Sequence, residues 1–140
     1  TARQSPQRLL LIGVSAAAVL YAAAFGRALP QAHAPWPSRW AAEQFLAHRP
    51  CPTGTLASAG FSEPSLVFLA GTATELTRGA GAAAHLRADP TCNLALVEGR
   101  EAEAFTAALE GATVQALAAT QAVNYNNGRK LSLTLYQLVR

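Results

Sequence analysis

The chain has 140 residues, 51% of them apolar and only 14% charged, with a net charge of +3. That length suits one domain, and a charge content well below the roughly 25% of a typical soluble domain points to membrane association or an unusually Ala-rich protein. Five arginines in residues 1–50 (Arg3, Arg8, Arg27, Arg39, Arg49) face one acid, Glu43, whereas residues 51–140 carry six basic and seven acidic groups. No clustered basic face remains on the folded part, which excludes nucleic-acid binding.

The chain opens on Thr1 and contains no Met, so it is expected to be the C-terminal part of something longer, or a processed chain. Leu9 to Phe25, LLLIGVSAAAVLYAAAF, is a run of 17 residues without a charge. As a helix it spans about 25 Å, close to a hydrocarbon core of about 30 Å. Gly26, Ala28 and Leu29 extend it if Arg27 snorkels. Six of the 17 are Ala, which suits packing beside other transmembrane helices. Tyr21, Trp36 and Trp40 fit an interfacial aromatic belt.

Two other readings stay open. Arg3 and Arg8 ahead of the apolar run, with Ala32-His33-Ala34 behind it, also fit a secretory signal peptide. A buried Ala-rich core helix fits the same composition. Both membrane readings leave Arg3 and Arg8 cytoplasmic and everything after Pro30 outside.

Three prolines between residues 30 and 37 are expected to stop the helix and form a semi-rigid exit. Ser38 to His48 then reads as a helix with Ser38 as its N-cap. The expected organisation is a transmembrane segment over 1–30, an exit and connecting helix over 31–50, and an extracytoplasmic domain over 51–140.

From Cys51 onward the signals alternate. Thr55 to Ala59 is a short strand. The uncharged run Ser65 to Gly71 is too short to cross a bilayer. Pro64 at a first helical position, with Ser62 or Glu63 before it and Gly71 after it, favours a short buried helix, with a buried strand as the other reading. Glu75 to Asp89 reads as an Ala-rich helix ending at Pro90, and NLALV (93–97) as a buried strand. Arg100 to Glu110 reads as a helix with Phe105 and Leu109 on its apolar face, closed by Gly111. Thr113–Tyr125 and Arg129–Val139 are two strands joined through Asn126-Asn127-Gly128, a hairpin signal. The sum is an α/β fold: one N-terminal transmembrane helix, then a small domain with a mixed sheet that ends in a β-hairpin.

Cys51 and Cys92 are the only cysteines. Outside the cytoplasm such a pair is expected to be oxidised; in the cytosol it would be two buried thiols. Neither has a second Cys or His at zinc-ligand spacing. His33, His48 and His85 are scattered and read as surface residues. Glu63 reads either as a negative charge at a helix mouth or as a ligand contact, and Glu101, Glu103 and Glu110 as a solvated helix face and first turn. With no GxSxG, phosphate loop or paired carboxylates, the chain by itself does not read as a working enzyme, and no catalytic, cofactor-binding or metal residue is expected in it.

Three blocks, GFSEPSLVFLAGT (60–72), CNLALVEGREAEAF (92–105) and VNYNNGRKLSLTLY (123–136), resemble the C-terminal extracytoplasmic domain of bacterial membrane glycosyltransferases. These belong to the superfamily of lipid A aminoarabinose transferases and protein O-mannosyltransferases. The likeness runs from the apolar helix through the Pro-Trp-Pro-Ser exit to the C-terminus and departs at Asn126, where Ser is more usual. It implies an enzyme of the bacterial inner membrane that moves a sugar from a polyprenyl-phosphate carrier to a lipid or protein acceptor at the periplasmic face. The implied partners are membrane lipid, upstream transmembrane helices and that donor. The family's catalytic acids lie in a loop near the N-terminus of the whole protein, outside this sequence. The resemblance also supports a Cys51–Cys92 disulfide. Glu63, Tyr125 and Arg129 are site-adjacent candidates. A membrane-anchored or secreted periplasmic binding or structural domain is the other functional reading.

Overall fold

A computed structural model of the chain describes residues 5–31, 36–124 and 127–139. It divides into two compact units, residues 1–33 and 34–140.

The first unit is helical from Pro6 to Gln31. Helix α1 (Pro6–Ala23) runs through a π-helical turn (Ala24–Ala28) into a last turn, α2 (Leu29–Gln31). Together they make 26 residues, long and apolar enough to cross a membrane, about 39 Å of helix. None of that span is buried. Tyr21 and Phe25 stack at 5.6 Å. The described helix runs through Pro30 to Gln31, within the stretch where the prolines are expected to stop it. The proline cannot donate to the carbonyl of Gly26, and the chain widens to a π turn over that stretch, where the N–H of Leu29 reaches the carbonyl of Ala24.

The second unit is built on a five-stranded sheet of order β2-β1-β3-β5-β4. Its strands are β1 (Leu56–Ala59), β2 (Glu75–Thr77), β3 (Leu94–Glu98), β4 (Val114–Asn124) and β5 (Arg129–Leu138). β1 lies parallel between β2 and β3. β5 runs antiparallel to both β3 and β4. The fold class is the expected one: an apolar helix, then a small α/β domain with a mixed sheet and a terminal hairpin. β1 and β3 are buried at every position, as central strands covered on both faces must be.

Helices α3 (Pro37–His48) and α4 (Pro64–Ala70) cover one face, where Phe45, Leu66, Leu94, Leu96, Leu133 and Leu135 share a core. Helices α5 (Gly79–Ala88) and α6 (Ala102–Ala108) cover the other, with Ala83, Leu86, Ala95, Val97, Phe105 and Leu109. In β5, Leu131, Leu133 and Leu135 point to the first core and Tyr136 to the second, where its ring lies 5.1 Å from that of Phe105.

Several local expectations are corrected. Ser38 does not cap α3. The helix starts one residue earlier, at Pro37, and Ser38 is buried with its hydroxyl accepting from that of Ser65 at 2.8 Å. Residues 75–89 are not one helix: Glu75–Thr77 forms edge strand β2, and α5 begins only at Gly79. Residues 100–110 begin with a 3₁₀ turn (Gly99–Glu101) before α6. Residues 64–70 are helical, but only Leu66 is buried.

Candidate functional site

In open α/β sheets, ligands bind beyond the carboxyl ends of parallel strands, where successive connections leave in opposite directions. Here that place is between β1 and β3, because β2 lies on one side of β1 and β3 on the other. The chain's own groups fill it. Gly60, directly after β1, has φ +79°, and a Cβ there would stand 2.8 Å from Cγ of Glu101 and 3.2 Å from Cβ of Glu98.

Glu98 closes β3 and is 3% exposed. Its Oε2 accepts from Arg100 Nε at 2.6 Å, an ion pair whose guanidinium is half in water. Glu101 Oε2 accepts from the backbone N–H of Gly79 at 2.8 Å. It thereby satisfies an orphan donor at the start of α5, which no local side chain caps. The expectation that Glu101 lies on a solvated helix face is therefore overturned.

The amino edge of the same strands holds a second cluster, around His85. Its side chain is 10% exposed, not a surface residue as expected. Nδ1 lies 3.2 Å from Glu75 Oε2, and Nε2 lies 3.2 Å from Thr55 Oγ1 and 3.3 Å from the Thr55 carbonyl. A hydroxyl, an imidazole and a carboxylate in line have the outline of a nucleophile–base–orienter array.

The hydrogen bonds decide against it. Asn93 Nδ2 donates to the His85 carbonyl at 2.9 Å, which turns Oδ1 toward Thr55. That oxygen accepts from the Thr55 N–H at 3.2 Å and from its hydroxyl at 3.1 Å. With its proton committed to Asn93, Oγ1 is an acceptor from Nε2, the reverse of a nucleophile being deprotonated. The cluster ties α5, β1 and β2 together.

Beside Thr55 opens a groove of about 300 Å³ lined by Phe45, Arg49, Thr53, Thr55, Gly71 and Thr74. The Arg49 guanidinium lies 5.7 Å from the Phe45 ring centre, a cation–π contact. Hydroxyls and one cation suit a polar ligand, but no activated nucleophile faces the groove.

Cys51 and Cys92 form a disulfide, with Cα atoms 5.2 Å apart. Glu63 occupies the N-cap position of α4 without a side-chain cap bond. Its Oε1 lies 3.5 Å from Asn124 Nδ2, and Asn124 pairs across the hairpin with Arg129. Two of the site-adjacent candidates, Glu63 and Arg129, thus meet around Asn124. Tyr125 lies outside the described residues, as do Asn126 and His33. His48 Nδ1 lies 2.9 Å from the Gln44 carbonyl, within its own helix.

Among the described residues, no group of three or more His, Cys, Asp or Glu is placed to hold a metal. Every buried side-chain N or O atom among them has a partner. Glu98, Asn93 and Thr55 went unnoticed in the sequence. The one signal for Glu98 was its position at the unbroken end of the apolar NLALV run.

The fold and its polar clusters define a disulfide-closed α/β domain following a membrane-length helix, with Glu101, His85 and Glu75 engaged in holding segments together. Comparison with protein-family models, curated proteins and solved structures finds no match.

Proposed function

We propose that this chain is the C-terminal part of an integral-membrane glycosyltransferase. The whole protein moves a sugar from a polyprenyl-phosphate donor to a lipid or protein acceptor on the periplasmic face of the bacterial inner membrane. This domain serves it outside the bilayer and performs no chemistry of its own.

One observation carries the reading: the three blocks behind the resemblance form a single neighbourhood. The first supplies Glu63, which faces Asn124 of the third, and the second supplies β3, which pairs with β5 of the third. The membrane-length helix and the disulfide, a bond of oxidising compartments, support the same topology.

The test is a transfer assay on the complete gene product in proteoliposomes, with radiolabelled sugar on polyprenyl phosphate and lipid A or a peptide as acceptor. Label on the acceptor is expected. A complete product consisting of one span and this domain, with no transfer, would favour the membrane-anchored or secreted binding or structural domain instead.

A further inference from the structure

From Pro64 to Thr74 the sequence carries no charge, yet α4 buries only Leu66. Phe68 is 85% exposed and Leu69 43%. Ser65, Phe68 and Leu69 lie together by the i, i+3 and i, i+4 spacing, with Phe68 nearly opposite Leu66 on the helix. Trp36, 45% exposed, adjoins them: Trp36, Arg39, Ser65 and Leu69 line one shallow depression of about 120 Å³. Single exposed apolar residues are ordinary. A protruding phenylalanine beside a leucine and a tryptophan is a surface with an occupant.

We propose that this face lies on the membrane surface, with Phe68 and Leu69 in the headgroup–acyl boundary and Trp36 at headgroup level. Chain length is the first reason. Trp36 follows Gln31, the last residue of the membrane-length helix, by five residues, which reach at most about 18 Å. The headgroup layer is itself roughly 5–8 Å deep, so Trp36 can reach it when the helix spans the bilayer.

Size is the second. The well-packed core of a protein interface is a cluster of several buried anchors, and the exposed apolar residues here are Trp36, Phe68 and Leu69. Charge is the third. Arg39 is paired with Glu43 at 2.8 Å, so the rim is close to neutral. Contact then comes from apolar burial and the interfacial preference of tryptophan. The proposal rests on the helix spanning the membrane and not on glycosyl transfer.

The test is photo-cross-linking of the full chain in vesicles of phosphatidylethanolamine and phosphatidylglycerol with radiolabelled acyl chains. Phe68→p-benzoylphenylalanine places the probe on α4. Ala107→p-benzoylphenylalanine, at an exposed position of α6 on the other side of the sheet, is the control. Lipid label at position 68 is expected to exceed that at position 107 at least tenfold. Equal labelling, or an adduct to protein in place of lipid at position 68, overturns the proposal. Release of the chain from the vesicles by alkaline carbonate overturns it together with the membrane anchor. A failed transfer assay leaves the cross-linking result unchanged, so the two readings fail separately.

Discussion

Reduction of the Cys51–Cys92 bridge tests what holds the second unit together. The bridge joins residues 41 apart, a loop containing β1, α4, β2 and α5. In the unfolded chain, closing such a loop removes about 13 cal/mol/K, or about 4 kcal/mol at 25 °C. Backbone hydrogen bonds hold the same region beside the disulfide. The Gly54 N–H reaches the Cys51 carbonyl at 3.1 Å, and the Leu94 N–H the Thr55 carbonyl at 3.1 Å. The loss is therefore expected to come through the unfolded state. For a unit of roughly 100 residues, 4 kcal/mol corresponds to about 18 °C in Tm. The assay is thermal unfolding of the full chain in detergent micelles with and without reductant, followed by tryptophan fluorescence. Trp40 packs against the first core and reports on it. The Cys51→Ser/Cys92→Ser variant repeats the measurement without reductant. A fall of less than about 4 °C, equivalent to about 1 kcal/mol, refutes the loop-closure account.

Gly79→Ala is expected to destabilise the unit by about 1–3 kcal/mol, because the new Cβ meets the Glu101 carbonyl oxygen at 2.5 Å and the Phe105 nitrogen at 2.6 Å; chemical denaturation measures it. Arg100→Ala strands the buried Glu98 carboxylate and should cost about 1–2 kcal/mol, short of a fully buried pair because the guanidinium is half in water. Glu98→Gln should cost less in the same assay, since no unpaired charge remains. Gly128→Ala, at φ +69° in the hairpin turn, should cost about 1 kcal/mol. Phe68→Ser should leave the melting temperature in micelles unchanged, within about 0.5 kcal/mol.

What was legible in the sequence is what periodicity and turn chemistry record. Leu131, Leu133 and Leu135 alternate with polar residues, and β5 buries just those three positions of the run. Leu94 to Val97 is apolar throughout, and β3 is central. β2 was hidden because Glu75–Thr77 is three residues long with no buried position. Its strand character comes from parallel pairing with β1, a partner 18 residues away by register. α5 starts at Gly79 rather than Glu75 because the group that satisfies its first N–H is Glu101, 22 residues on. The α4 helix was legible from Pro64 and Gly71, but its exposure was not. An uncharged run signals burial only when something covers it, and within this domain nothing covers Phe68. The polar clusters were the least legible part, since His85, Thr55 and Asn93 come from three segments that only the sheet brings together.

The use of those clusters follows from the size of the core. Two of the parallel strands have only four and three residues, and the second core is rich in alanine: Ala57, Ala59, Ala82, Ala83 and Ala95. Small side chains let α5 approach the sheet and α6 closely, as the tight fit at Gly79 requires, but each buries little apolar area. A small domain with such a core relies on cross-links between segments. The disulfide, the Glu101 bond to α5 and the His85 network are those cross-links. Residues committed in this way are poor catalysts, because function would have to break the bonds that hold the strands. What the domain can contribute is rigidity, and a rigid unit holds Phe68 and Leu69 of α4 exposed in one arrangement. The strength of contact at Phe68 is then set by how well the cross-links hold. Reduction of Cys51–Cys92 should therefore lower lipid cross-linking at position 68 at temperatures where the reduced unit has melted, and leave it unchanged below them.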